Sequence, residues 1–278
     1  MLQIKVKDFD LEQTLTCGQI FRFHEKDEGY NIIAHGNILY AYQKGEILNL
    51  KCTEEEYETI WKTFFDIERR YDEIKNIISS NDKIMKEAIS FAPGIRLITQ
   101  DPYECLIHFI ISSNNRIPQI KAVIENLSKS FGKEIKDGIF SFPSAEELYN
   151  ASLDAVLECK PGFRAKYIKD AAKKIYTENL DLGKIKNLPF IDARAELMKI
   201  NGVGVKVADC ALLFSMQKYE SFPTDVWVKR IMEQFYFGGN ETKIQDILSF
   251  ANEKWGNNAG FAQQYLFFYA KENKVGKK

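Results

Sequence analysis

The sequence predicts an α+β protein in which an antiparallel β-sheet domain with flanking helices (residues 1–95) precedes an all-helical domain (96–278). Short β-branched and aromatic runs, separated by turn residues, fill the segment YNIIAHGNILYAYQKGEILNL (30–50), a pattern typical of a β-meander. From residue 53 onward the apolar residues recur at helical spacing. A chain of 278 residues is long enough for two ordinary domains.

The helices have recognisable starting points. Thr53 and Glu56 have the spacing of a capping box, which predicts a helix beginning there. Asp101 followed by Pro102 predicts an N-cap with proline at the first helical position. Amphipathic stretches predict further helices near 117–131, 163–178, 189–199, 204–216, 225–236, 241–254 and 258–272.

Composition excludes several classes of protein. No apolar run approaches the ~20 residues that a membrane helix requires, and the N-terminal MLQIKVKDFD lacks the apolar core of a signal peptide. We therefore expect a cytoplasmic protein with no membrane partner. The five cysteines are scattered without a C-x-x-C pair, and there are only three histidines, so we expect neither a disulfide framework nor a metal site.

Charge divides unevenly along the chain, although the net charge is only −1. Residues 1–95 carry 12 Lys and Arg against 17 Asp and Glu, whereas the remaining residues carry 26 against 22. A net positive C-terminal part is compatible with a polyanionic partner.

The segment INGVGVKVADC (200–210) predicts a tight glycine turn between two helices, so that a helix-hairpin-helix spans about 189–216. The turn places backbone N–H groups at the positive end of the second helix, which is a natural phosphate site. Such a hairpin holds a nucleic-acid backbone without reading its sequence. Two glycines alone favour a purely structural turn.

Lys206 lies in the first turn of this second helix, where the helix dipole disfavours an ammonium. A neutral amine is a nucleophile that can form a Schiff base. Asp225 follows 19 residues later, at or near the N-cap of the next helix. It either caps that helix only or also faces the hairpin, where it would stabilise a developing cation.

The hairpin, lysine and aspartate together resemble the signature of the helix-hairpin-helix DNA glycosylase superfamily, and the lysine resembles its bifunctional branch. Four further blocks resemble those of 8-oxoguanine DNA glycosylases in the same order: TCGQIFRF (16–23), QDPYECLIHFIISSNN (100–115), PGFRAKYI (161–168) and WGNNAGFAQQYLF (255–267). The resemblance implies excision of 8-oxoguanine from duplex DNA through a lysine Schiff base, then strand cleavage by β-elimination, in base excision repair. This chemistry needs no cofactor.

The resemblance also assigns residues. It places the nucleophile at Lys206 and the catalytic carboxylate at Asp225. The base pocket falls on residues that read or sandwich the flipped base: Gly18, Cys210, Gln263 and Phe267. The phosphate-binding hairpin falls on Gly202, Gly204 and the amide of Val207. Asn114 and Arg164 match residues that contact the opposite base, and Phe163 matches an aromatic wedge.

Three positions depart from the family pattern. Gln119 stands where the family has an arginine that reads the opposite cytosine, so we expect relaxed opposite-base selectivity. Trp227 replaces a histidine that touches phosphate, and Arg116 or Lys229 is the candidate for the missing charge. Phe163, the aromatic wedge, stands where the family usually has tyrosine.

Two other functions remain open on the sequence alone. One is a glycosylase of the same fold for another damaged purine. The other is a non-catalytic helix-hairpin-helix module in which Lys206 only contacts phosphate. In the favoured interpretation the protein is a monomer that acts on the nucleoid.

Overall fold

The computed structural model describes residues 1–276, and its N-terminal part is a five-stranded antiparallel sheet. The strands are β1 (Leu2–Lys5), β2 (Phe23–Lys26), β3 (Gly29–Ala34), β4 (Asn37–Lys44) and β5 (Ile47–Leu50). Their order across the sheet is β1-β5-β4-β3-β2. The first strand therefore pairs with the last, with Leu2 opposite Leu50. The prediction of an N-terminal antiparallel sheet is confirmed.

Helices make up most of the rest of the described chain. The early ones are α1 (Leu11–Thr16), α2 (Glu54–Glu56), α3 (Lys62–Phe64), α4 (Tyr71–Ile78) and α5 (Lys83–Phe91). A π-helical turn (Tyr57–Trp61) joins α2 to α3. The later ones are α6 (Pro102–Ser112), α7 (Ile117–Phe131), α8 (Ala145–Asn150), α9 (Leu153–Glu158), α10 (Ala165–Tyr176), α11 (Leu182–Asn187), α12 (Phe190–Leu197), α13 (Val205–Met216), α14 (Val226–Tyr236), α15 (Ile244–Trp255) and α16 (Ala259–Glu272). Among residues 1–276, no helix is both long and apolar enough to cross a membrane.

The predicted helix starts are confirmed by their caps. The Thr53 side chain accepts from the Glu56 amide while the Glu56 carboxylate accepts from the Thr53 amide, which is the predicted capping box. Asp101 accepts from the amide of Glu104 at 2.9 Å, with Pro102 at the first helical position. Local side-chain chemistry therefore sets where these helices begin.

The predominantly helical second part is confirmed, with one addition that the sequence analysis did not predict. A short β-hairpin, β6 (Glu134–Lys136) and β7 (Ile139–Phe140), follows α7. Its turn contains Asp137 and Gly138, both with positive φ, which is the Asp-Gly chemistry of a tight hairpin. Arg22 donates a hydrogen bond to the Phe140 carbonyl and so fastens this hairpin to the start of β2.

Two hydrophobic cores form, and some helices from the early part of the chain belong to the core that the later helices build. The sheet covers the smaller core, which includes Ile32, Leu48 and Trp61. Side chains of α4 and α5 instead enter the larger core, which the later helices build. The predicted division at residue 95 stays a prediction.

Arg96 links the two cores. Its side chain is 3% exposed, and it donates to the carbonyls of Lys7 at 2.7 Å and Asp66 at 2.6 Å. The guanidinium also lies 4.3 Å from the centre of the Tyr71 ring. A buried guanidinium that satisfies several carbonyls fixes the loops around it. The loop that carries Gly18 is bonded to the backbone of this same residue, as described below.

Candidate active site

One small cavity in the helical part brings together the six residues predicted for catalysis and for the base pocket. They come from the loop between α1 and β2 (Gly18), from α13 (Lys206, Cys210), from the start of α14 (Asp225) and from α16 (Gln263, Phe267). Four further residues line the cavity and were not predicted from the sequence: Phe109, Phe214, Pro223 and Gln264. The cavity volume is about 50 Å³, which is room for a few water molecules, so side chains must move before a purine can enter.

Lys206 lies in the first turn of α13, whose N-cap is Gly204. Its ammonium lies 5.1 Å from the centre of the Phe109 ring. Burial raises the pKa of the Cys210 thiol to about 11, although the charge of Lys206 opposes this. The cysteine is therefore a neutral thiol beside the amine at neutral pH.

Asp225 caps α14 and also faces the cavity. One carboxylate oxygen accepts from the amides of Trp227 and Val228, both at 2.9 Å. Burial raises the pKa of this carboxyl above its ordinary value of 3.8, against the amide of Val228 and the positive charge of Lys206. Capping and proximity to Lys206 thus occur together, so the two roles considered for Asp225 do not exclude each other.

Two further features of the cavity wall are an unpaired polar atom on Gln263 and the close approach of Gly18 to Phe267. The side-chain oxygen of Gln263 is buried and has no hydrogen-bond partner among the described residues. An unpaired buried acceptor is costly and indicates a missing donor. Gly18 adopts a φ of +89°, and a methyl group built on it would lie 2.9 Å from Cε1 of Phe267. Only glycine fits this approach.

The helix-hairpin-helix consists of α12 and α13 joined by the turn at Gly202. A partly buried ion pair joins the two helices: Arg194 Nε lies 2.7 Å and Nη2 3.1 Å from the two oxygens of the buried Asp209. Burial raises the pKa of Asp209 to about 6, and Arg194 opposes the shift. The first amides of α13, including that of Val207, have no partner within the helix.

The turn itself is held from α10. Gly202 has a φ of +81°, and a methyl group on it would lie 2.3 Å from Cδ2 of Tyr167. Asp170 accepts from the amide of Asn201 at 2.7 Å and from its side-chain nitrogen at 3.0 Å. Gly204, by contrast, is extended at φ −92°, with open space around the position of a side chain.

The residues predicted to contact the opposite base lie together beside the cavity-bearing helices. Asn114 is exposed, with a φ of +50°, and Phe163 is 58% exposed. Arg164 is buried and uses four of its five N–H groups on the carbonyls of Ser113, Asn114 and Pro161. It therefore positions the loop that carries Asn114, and one N–H remains for another partner.

The departures from the family pattern are placed as follows. Gln119 is exposed on the first turn of α7, and Trp227 is half-buried in the first turn of α14. Lys229 forms ion pairs with Glu233 and Glu241, so it is a poor candidate for the missing charge. Arg230, which the sequence analysis did not consider, places its guanidinium carbon 5.2 Å from the centre of the Trp227 ring.

Between residues 1 and 276, no group of three or more His, Cys, Asp or Glu side chains could hold a metal ion.

Sequence comparison divides the chain between two family models. The model described as 8-oxoguanine DNA glycosylase, N-terminal domain, matches residues 1–106. That described as HhH-GPD superfamily base excision DNA repair protein matches residues 107–256. A probable N-glycosylase/DNA lyase of Methanothermobacter thermautotrophicus is 30% identical over 98% of this chain and 96% of its own length.

Solved structures agree in fold. The Clostridium acetobutylicum 8-oxoguanine glycosylase/lyase, solved with duplex DNA containing cytosine opposite 8-oxoguanine, superposes with a TM-score of 0.93 at 42% identity. The match covers 97% of this chain and 94% of that one. A 3-methyladenine DNA glycosylase of Archaeoglobus fulgidus shares the fold, with a TM-score of 0.79 at 20% identity over 98% and 99% of the two chains.

Proposed function

The chain belongs to the 8-oxoguanine DNA glycosylase family of base excision repair enzymes, and on that premise we propose that it excises 8-oxoguanine from duplex DNA and then cleaves the strand. The observation that carries the proposal is the cavity shared by Lys206, Asp225 and the four base-pocket residues. A nucleophile, a carboxylate and an unpaired amide oxygen around one cavity are the groups that this reaction needs.

Base removal begins with a nucleotide flipped out of the duplex, because C1′ is inaccessible within the stack. The amine of Lys206 attacks C1′ through its nitrogen lone pair; the C1′–N9 bond breaks and its electron pair leaves with the base. Asp225, as a carboxylate, stabilises the positive charge that develops on the sugar. The attached nitrogen gives one proton to the departing base and a second to O4′ as the C1′–O4′ bond breaks and the sugar ring opens, which leaves a Schiff base between Lys206 and C1′.

Strand cleavage uses the same intermediate. The imine acidifies the C2′ proton, and its removal expels the 3′ phosphate by breaking the C3′–O bond. Water then hydrolyses the imine and returns the free amine of Lys206. This sequence of steps distinguishes a lysine glycosylase from one that activates water, since water leaves no covalent link to the enzyme.

Recognition of the base follows from the walls of the cavity. The Gln263 oxygen accepts from the Watson–Crick edge of the base, which supplies the donor that this buried oxygen lacks. The Gly18 carbonyl accepts the N7 hydrogen that 8-oxoguanine carries and guanine does not. Cys210 and Phe267 enclose the two faces of the base, and Phe267 is the half-buried side chain that must move to admit it.

The remaining predicted residues hold the DNA. Phe163 is exposed and fills the gap that the flipped base leaves, while Asn114 and the remaining N–H of Arg164 face the opposite base. Gly204 and the first amides of α13 bind a phosphate at the positive end of that helix. We further propose that the protein acts as a monomer on the nucleoid in the cytoplasm.

The two hairpin glycines are expected to differ in the effect of substitution by alanine. Gly202→Ala should lower the free energy of unfolding by about 1–3 kcal/mol, because of its φ of +81° and its contact with Tyr167. Gly204→Ala should leave thermal stability unchanged, because the site is open, yet weaken duplex binding about tenfold by blocking the phosphate. Thermal melting and fluorescence anisotropy measure the two effects. Full DNA affinity in Gly204→Ala would contradict a phosphate site here.

Borohydride trapping separates this proposal from the two other functions. The protein is incubated with duplexes that contain 8-oxoguanine, an alkylated purine or no lesion, and borohydride is added. We expect a covalent adduct on the 8-oxoguanine duplex in preference to the others. Equal trapping on all lesions would overturn the substrate assignment. DNA binding without any adduct and without release of any base would indicate a non-catalytic module.

Opposite-base selectivity is expected to be weak because Gln119 lacks the forked charged donor of arginine. Single-turnover excision of 8-oxoguanine should be similar opposite cytosine, adenine, guanine and thymine. Gln119→Arg should raise the preference for cytosine about tenfold, since a good bidentate contact contributes about 1–3 kcal/mol. A strong cytosine preference in the unmodified protein, lost only when Arg164 is changed, would refute the role given to Gln119.

A further inference from the structure

The loop that carries Gly18 is fixed on both sides by buried glutamines. Gln264 donates from Nε2 to the carbonyl of Cys17 at 2.8 Å, and Gln100 donates from Nε2 to the carbonyl of Gln19 at 2.8 Å. Gln264 is 2% and Gln100 5% exposed. The peptide groups before and after Gly18–Gln19 are therefore held by side-chain amides, not by regular secondary structure.

The side chain of Gln19 anchors its end of this loop to the protein interior. Its nitrogen donates to the carbonyls of Thr14 at 2.9 Å and Arg96 at 2.7 Å, and its oxygen accepts from the amide of Ile98 at 3.0 Å. Arg96 is the residue that joins the two cores. These bonds hold Gln19 to the fold independently of the cavity.

The hydrogen bond from Gln264 to the Cys17 carbonyl holds the other end of the loop against the cavity. It lies on α16 directly after Gln263 and three residues before Phe267, and it lines the cavity itself. Glycine at a φ of +89° has little intrinsic preference for one peptide orientation. The direction of the Gly18 carbonyl therefore depends on the hydrogen bonds of its neighbours, and the Cys17 bond is the one that α16 supplies.

We propose that Gln264 is a positioning residue for base discrimination, which sets the orientation of the Cys17–Gly18 peptide relative to Gln263 and Phe267. The inference rests on the proposed function, in which the Gly18 carbonyl accepts the N7 hydrogen of 8-oxoguanine. The Gly18 carbonyl belongs to the following peptide, Gly18–Gln19, and without the Gln264 bond it is held only from the Gln19 end and loses its alignment with that hydrogen, whereas Lys206 and Asp225 keep theirs. Base recognition is then impaired and the chemistry at C1′ is not.

The test compares two activities of the same protein. Excision of 8-oxoguanine requires base recognition, whereas cleavage of a preformed abasic site does not, because no base is present to be read. In Gln264→Met, which removes the donor at similar volume, single-turnover excision of 8-oxoguanine should fall about tenfold. The rate of cleavage at the abasic site should stay within about twofold of the unmodified protein. Gln3→Met, in β1 away from the cavity, is the matched control and should change neither rate.

Each outcome decides between the alternatives. Unchanged excision in Gln264→Met, or an equal fall in both activities, would overturn the inference and leave the proposed function intact. An unmodified protein that cleaves abasic DNA but ignores 8-oxoguanine would overturn the substrate assignment itself. If Gln264→Met does not fold, Gln264→Asn carries the same test, since its amide is one methylene too short to reach the Cys17 carbonyl.

Discussion

Replacing Lys206 with glutamine is expected to reduce 8-oxoguanine excision by at least about a thousandfold and to abolish strand cleavage. An amide of similar length cannot attack C1′ or form an imine, so both steps lose their nucleophile. The fold should be retained, because Lys206 is half-buried in the first turn of α13 and glutamine is a good helix former of similar length. Single-turnover assays on 8-oxoguanine and abasic duplexes measure the two activities separately.

The matched control for this variant is Lys5→Gln. Lys5 is an exposed lysine of β1 whose ion-pair partner among residues 1–276 is the exposed Glu46, and it does not line the cavity. Its replacement should leave both activities unchanged and so account for any effect of reduced net charge on DNA binding. Cleavage of abasic DNA by Lys206→Gln at the rate of the unmodified protein would contradict the assignment of Lys206.

Replacing Asp225 with asparagine is expected to reduce excision by about a thousandfold with little change in thermal stability. Asparagine caps a helix as well as aspartate does, so the bonds to the amides of Trp227 and Val228 have an equivalent acceptor. The negative charge that stabilises the developing cation is lost. Asp225→Ala, which removes the cap as well, should in addition lower the free energy of unfolding by about 1 kcal/mol.

The pH dependence of excision provides a second measure of Asp225. Burial raises the pKa of this carboxyl, so protonation begins at a higher pH than for an ordinary aspartate. Because the carboxylate is the active form, kcat/KM should fall as the pH is lowered through that raised pKa. The acid limb of Asp225→Asn should therefore differ from that of the unmodified protein. An identical acid limb in the variant would show that another group controls it.

Features set by neighbouring residues could be predicted from the sequence. The capping box at Thr53, the proline-started helix after Asp101 and the cap at Asp225 depend on contacts within three residues. Their spacing is therefore visible in the chain. The pair Asp137-Gly138 is an equally local signal for the hairpin β6–β7. The segments around it were interpreted as helical, and the hairpin was therefore not predicted.

Features set by distant residues could not be predicted. Helical spacing shows that α4 and α5 each have an apolar face, but it does not show that those faces enter the core of the later helices. Gln264 contacts a carbonyl 247 residues earlier in the chain. The resemblance predicts that Arg164 contacts DNA. In the structure most of its N–H groups donate to backbone carbonyls, and two of these carbonyls lie some 50 residues earlier in the chain. Such pairings exist only once the chain has folded.

The site was predictable in part for the same reason. The spacing of Lys206 and Asp225 suggested chemistry directly, whereas Gly18 and Gln263 entered only through resemblance. The structure places all four around one cavity. The aromatic and amide residues that complete its walls lie on buried helix faces, where core packing and ligand contact give the same sequence pattern.

Mass spectrometry of the borohydride-trapped complex tests the central claim most directly. After proteolysis and nuclease digestion, the reduced sugar remnant should be found on the peptide that contains Lys206 and on no other lysine. The 8-oxoguanine base should be released in at least the molar amount of the adduct. A remnant on a different lysine, or release of the base without any protein adduct, would contradict Lys206 as the nucleophile of this enzyme.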